Sequence, residues 1–219
     1  MMFVEMPIIR VNNPPSRFGP SLATALAAVL ASTVCAAPRA INELANPGFE
    51  ESTGTDLAAW HAYGRGHAID REVAHGGQQA IRCEARGSQD ATGAAQVIRY
   101  DKPDKRPIVV GGWSKADDVD AGGDYCVYLD IFFEDGSPWW GQMAGWSRGR
   151  HDWQYTAQVF YPEKPVKEIQ TFVLLRRTSG TAWFDDIFVC RGGRATGSVG
   201  EHRVVRRQPL NVVVLEEPK

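Results

Sequence analysis

Between Ile41 and Arg191 no long segment sustains the 3.6-residue apolar period of an amphipathic helix; short runs rich in Val, Ile, Phe, Tyr, Trp and Thr appear instead, separated by Asp-Gly, Gly-Gly and Ser-Gly turns. Ile81–Ala85 alternates apolar and polar residues, 107–113 is a β-rich run ending beside Gly112, and 125–133 alternates with Asp130 inside it. Runs at 153–161, 168–175 and 181–190 continue the series, and the segment 134–150 between them reads as a connection. Regularly spaced strands without helices lead to a sandwich or a barrel.

The two ends of the chain are different in kind. Arg10 and Arg17 precede an acid-free stretch, Leu22–Val34, too short for the roughly 20 residues of a membrane span and closed by small residues. Residues 1–36 therefore read as a secretory signal peptide cleaved after Ala36, which makes the expected location secreted, periplasmic or extracellular. A lipid-modified Cys35 is the alternative, with Val34 an unfavourable neighbour for it. Export leaves Cys83, Cys126 and Cys190, an odd number, so at most one internal disulfide is available. Residues 193–219 read as a Gly-rich linker and an extension carrying the strand-like run 211–215, which is an added edge strand, a disordered end or the opening of a further domain.

With 43% hydrophobic and 23% charged residues the 219-residue chain has the composition of an ordinary globular protein, and 41–192 reads as its one globular domain. A net charge of −2, with both signs interspersed, excludes a phosphate backbone as the expected partner.

Distinctive motifs bracket that domain: Asn46-Pro47-Gly48-Phe49-Glu50 at its start and Thr181-Ala182-Trp183-Phe184-Asp185-Asp186-Ile187 at its finish. Between them come Trp60, Ala74-His75-Gly76-Gly77, Gly112-Trp113-Ser114-Lys115 and His151-Asp152-Trp153. In this order the chain resembles the carbohydrate-binding modules of families 4 and 9 over about 150 residues. The resemblance implies a galactose-binding-like jelly roll, an all-β antiparallel sandwich, and a structural calcium ion near the meeting of the chain ends. Glu50 and Asp185 would be its ligands, with carbonyls lent by the turn at His75-Gly76-Gly77. It also implies a poly- or oligosaccharide as partner, with a glycoside hydrolase or cell wall nearby, and packing roles for Trp60, Trp113, Trp153 and Trp183.

Sugar rings lay apolar C–H faces on flat aromatics while polar side chains take their hydroxyls. Trp139, Trp140 and Trp146 sit in the connection 134–150, where an exposed trio would make a ligand platform. The alternative is that this segment folds over the sandwich edge and its indoles plug a gap. On the strand 125–133, Val127, Leu129, Ile131 and Phe133 share one face, which leaves Tyr128 and Asp130 on the other, suited to a sugar groove. Of Arg176 and Arg177 one must point outward; Arg176 is the candidate for sugar hydroxyls, an ordinary solvated arginine the alternative.

Little points to catalysis. Gly145-Trp146-Ser147-Arg148-Gly149 fits the nucleophile-elbow pattern without the strand-to-helix turn that pattern needs. The five histidines show no metal-ligand spacing, and the acids Asp117, Asp118, Asp120, Glu134 and Asp135 cannot be paired from sequence. A jelly-roll lyase or hydrolase using Tyr128 and Lys115 and a structural or adhesive surface domain are the two other readings.

Overall fold

Apolar side chains at every second position draw this chain into strands with one dry face. The structure, a computed structural model, describes residues 41–192 and the backbone of 198–199, 202–206 and 212–216. Its strands are β1 (Ser52–Thr53), β2 (Asp56–Leu57), β3 (His61–Gly64), β4 (Ala68–Asp70), β5 (Ala80–Asp104), β6 (Ile108–Val119), β7 (Asp124–Phe133), β8 (Pro138–Gly145), β9 (Gly149–Phe160), β10 (Val166–Arg191), β11 (Ser198–Val199), β12 (His202–Arg206) and β13 (Val212–Glu216). Every strand pairing among the described residues is antiparallel. Among the described residues no helix is long and apolar enough to cross a membrane.

The two longest strands organise the layers. Residues 166–176 of β10 lie between β7 and residues 91–104 of β5, whereas residues 181–184 lie between β6 and residues 81–84 of β5. The register slips between Arg176 and Thr178, and Arg177 takes a φ of 57° there. Bulged strands that change sheets in this way build the corners of sandwiches. One layer thus runs β8–β7–β10–β5–β3 and the other β4–β5–β10–β6–β9. Val127, Leu129 and Ile131 of the first meet Ile81, Val110, Phe184 and Ile187 of the second in one core, each fully buried.

Two expectations change. The runs 168–175 and 181–190 are halves of the single strand β10, one in each layer, so Ser179-Gly180 lies within a strand and not in a turn. The segment 134–150 is not all connection, because it contains β8. Its Pro138 and Gly141 hide the alternation, and Pro138 is tolerated at the first residue of an edge strand, where no ladder N–H is required.

The two bracketing motifs are stitched together. Ile187 N donates to Pro47 O (3.0 Å) and Asn42 Nδ2 to Ile187 O (2.9 Å). Asn46, at φ 47°, donates from Nδ2 to the carbonyls of Glu51 and Ala58, and its own carbonyl receives Trp60 Nε1 at 3.0 Å. Phe49 and Trp60, both buried with ring centroids 5.1 Å apart, close that end of the core.

Along β9, residues 158–160 pair with 212–214 of β13, so the extension adds strands at that edge. Residues 1–36, read above as a signal peptide with Cys35, and residues 193–197, read as linker, lie outside the described residues. Cys83, Cys126 and Cys190 are all free thiols, so the one available disulfide is not formed. Burial pushes Cys83 and Cys126 up to about 12 and Cys190 to about 11, which keeps all three protonated at neutral pH.

Candidate ligand-binding face

The alternation of β7 that buries Val127, Leu129 and Ile131 turns Tyr128 and Asp130 to the outer side of their layer. Register carries that side across the sheet. Tyr128 stands opposite Phe172 on β10 and Met143 on β8, Asp130 opposite Gln170, and Arg176 opposite both Asp124 and Ala91. On the far edge His61 and Tyr63 of β3 stand opposite Ala95 and Gly93 of β5.

Small residues on β5 shape the middle of this face. Tyr63 and Phe172 belong to strands separated by β5, yet their rings meet edge-on at 5.2 Å because Gly93 and Ala95 put almost nothing between them. Phe172 in turn meets Tyr128 edge-on at 6.0 Å, and the Arg176 guanidinium lies 4.8 Å above the Tyr128 ring. Asp124 fixes that guanidinium through Arg176 Nε at 2.8 Å. Burial lowers the Arg176 pKa, but hydrogen bonds to Asp124, Tyr63 and Tyr128 more than offset it and the net shift is upward. The Tyr128 pKa is also raised, by burial and by Asp130, which favours its neutral phenol.

The tryptophan trio is split three ways. Trp140 points outward on the Tyr128 side, 57% exposed, with Phe132 edge-on at 5.2 Å. Trp139, opposite Ile131, points to the other side of β8 and stays half-buried beside Phe133 and Phe160. Trp146 is in the core, 7% exposed, against Tyr125 and Phe184, which removes it from any surface platform. The structure therefore gathers Tyr128, Asp130, Arg176 and Trp140 on one face and leaves Trp139 and Trp146 off it.

Four residues of that face escaped the sequence: Tyr63, Val97, Met143 and Phe172. Phe172 sits in a run of consecutive apolar residues, where only strand pairing tells the inward side from the outward one. The two bases of the lyase reading are far apart in the fold, since Lys115 pairs with Asp152 at 2.8 Å on the opposite layer. Asp117 and Asp118 face Arg150, and Asp135 is held by Lys164 and Ser137.

The proposed metal ligands do come together at the stitched ends, around Gly48. Asp185, fully buried, accepts from His75 N (2.9 Å), Gly76 N (3.1 Å) and Asp186 N (2.8 Å). Glu50 accepts from Gln78 N at 3.0 Å and Gln79 N at 3.4 Å, and Asp186 meets His75 Nδ1 at 2.7 Å. Burial, helped by Asp186, raises Asp185 to about 6. Among the described residues no three His, Cys, Asp or Glu side chains form a metal-ligating group, so any ion here must draw on backbone carbonyls as well.

No family model matches the chain. It is 28% identical over 124 residues to the tRNA3(Ser)-specific nuclease WapA of Bacillus spizizenii, a match that covers 55% of this chain and 5% of that protein. Among solved structures, the tandem family 22 carbohydrate-binding modules of Paenibacillus barcinonensis Xyn10C superpose with a TM-score of 0.52 at 16% identity, over 77% of this chain and 55% of theirs. A family 16 carbohydrate-binding module matches 68% of this chain and 99% of its own at 17% identity and a TM-score of 0.49. The chain has the antiparallel jelly-roll fold found in carbohydrate-binding modules.

Proposed function

We propose that this chain is a non-catalytic carbohydrate-binding module that holds a poly- or oligosaccharide on the outer face of the β8–β7–β10–β5–β3 layer. One observation carries the reading: of the four exposed large hydrophobic side chains among the described residues, Val97, Trp140 and Met143 belong to this one face. Exposed apolar surface gathered beside a fixed arginine and acceptors such as Asp130 is what a sugar ring, apolar on its face and polar at its rim, requires. The leader 1–36 supports export, where polysaccharide, cell wall and glycoside hydrolases are met.

The test is titration with soluble xylan, β-glucan, galactan and cello-oligosaccharides, read by tryptophan fluorescence and calorimetry. Trp140→Ala and Tyr128→Ala should each weaken binding at least about tenfold, roughly 1.4 kcal/mol, with thermal unfolding unchanged in Trp140→Ala. Silence of the folded protein across the panel would leave protein adhesion as the better reading.

A structural calcium ion at Glu50 and Asp185 belongs to the same proposal. Glu50 and Asp185 flank Gly48 beside the His75–Gly77 turn while Asp186 is paired with His75 at 2.7 Å, and a cation held by those two carboxylates together with backbone carbonyls would relieve their charge. Calcium at about 100 times its dissociation constant should stabilise the fold by about 2.7 kcal/mol. The melting temperature should then rise with calcium and fall with chelator, and Asp185→Asn should abolish the difference. A melting temperature indifferent to calcium removes the ion from the proposal.

A further inference from the structure

Trp139 and Trp140 are neighbours in sequence with opposite surroundings. Among the described residues β8 is an edge strand, and Trp139 on its inner side remains half-buried at the rim of the sandwich. Phe133 lies nearly parallel to its indole at 6.2 Å (19°) and Phe160 meets it edge-on at 6.2 Å (87°), so the ring plane is held from two sides. Next to it Phe133, Pro138, Tyr161, Glu163 and Lys164 complete a cleft of about 230 Å³.

The rim of this cleft is polar and ordered. Lys164 Nζ donates to Asp135 Oδ2 at 2.7 Å and to Ser137 Oγ at 2.9 Å, and sits 5.7 Å from the centre of the Phe133 ring. An ammonium group has three N–H donors, so one is left for a ligand, while Glu163 contributes carboxylate acceptors. Asp135 keeps its charge well into acid, because Lys164 and Ser137 hydrogen-bond its carboxylate and pull its pKa far down.

We propose that the cleft at Trp139 is a second sugar-binding site, separate from the Tyr128 face and sized for a single pyranose ring. Its volume of about 230 Å³ falls below the roughly 300–1,000 Å³ of ordinary ligand pockets, which leaves room for about one sugar residue. The open face is different: its side chains lie on five strands about 4.8 Å apart, a span of roughly 19 Å, long enough for several rings. The cleft therefore takes a monosaccharide or the end of a chain, and the face takes a length of chain. This site stands on its own observations and does not require the face to bind.

The experiment follows the indole N–H signals of the full chain by NMR during titration with methyl β-D-glucoside, methyl β-D-galactoside and methyl β-D-xyloside, then with cello- and xylo-oligosaccharides. At least one methyl glycoside should shift the Trp139 signal saturably and leave Trp140 in place, and oligosaccharides should shift Trp140. Trp139→Ala should abolish the methyl-glycoside response and keep the oligosaccharide response at Trp140. Lys164→Met, an exposed change that does not disturb the core, should weaken the methyl glycoside at least tenfold even if Trp139→Ala fails to fold. A Trp139 signal unmoved by all three glycosides up to 100 mM overturns the inference. If oligosaccharides shift Trp139 and leave Trp140 in place, the face reading falls and the cleft survives.

Discussion

On the outer side of the β6–β10 layer, Trp113 lies under the His75 imidazole at 4.0 Å (18°), Tyr155 packs against its ring at 5.5 Å, and Trp153 meets His75 edge-on. Trp183 on the same side donates its indole N–H to Asp70 at 2.8 Å and is faced by Arg82 at 5.8 Å. On the outer side of the β7–β10 layer, Tyr128, Phe172 and Tyr63, half-buried like Trp113, are lined up edge to edge, and Trp140 is more than half exposed. Both faces are aromatic. The difference is the segment 70–79, which crosses over the first face, stacks His75 on Trp113 and ties its backbone N–H groups to Asp185. Aromatic surface already covered by its own chain is packing; the same chemistry left open at Trp140 is what the proposed site rests on.

Trp113→Ala tests the comparison with the largest effect. Removing a packed indole should cost about 2–4 kcal/mol, slightly under the range for fully buried Trp, measured by urea unfolding, while oligosaccharide affinity stays within about twofold. Trp140→Ala should show the converse, with stability within about 0.5 kcal/mol, as for an exposed site. A large affinity loss in Trp113→Ala without destabilisation would make the covered face a binding surface and break the contrast.

Asp124→Asn sharpens it. The Arg176–Asp124 pair is only about one-fifth exposed on each side, and its weakening should cost about 1–3 kcal/mol of stability. A second change is in recognition: with Asp124 neutral, Arg176 carries an unmatched positive charge on the face. Binding of neutral oligosaccharides should weaken a few-fold and binding of uronate-bearing oligosaccharides should improve, which competition calorimetry will read. Equal losses for both classes would mean that Arg176 faces no ligand.

How far the sequence reached follows from what each feature depends on. Period and turn chemistry are local, so most strands were legible, and so was the inward set Val127, Leu129, Ile131 of β7. The nearness of Glu50 to Asp185 came through the family resemblance alone, since nothing local in either motif says which ends join. Three things were not local. β8 was hidden by Pro138 and Gly141, residues an edge strand accepts and a sequence pattern reads as a turn. The continuity of β10 through Ser179-Gly180 depends on partners in two layers. The exposure of Trp140 against the burial of Trp146 depends on strand parity and on what covers each face, which no window of sequence contains.

Trp146 permits the finest test of that last point. Its Nε1 is buried with no hydrogen-bond partner among the described residues, which by itself costs about 1–3 kcal/mol. Trp146→Phe removes this donor and keeps an aromatic ring against Tyr125 and Phe184. It also removes one ring of volume, at a cavity cost of about 1 kcal/mol. The two effects oppose each other at similar size, so unfolding should shift by no more than about 1 kcal/mol, with oligosaccharide affinity unchanged. An affinity loss in this variant at unchanged stability would return Trp146 to the binding surface, and with it the view that all three indoles of 134–150 form one platform.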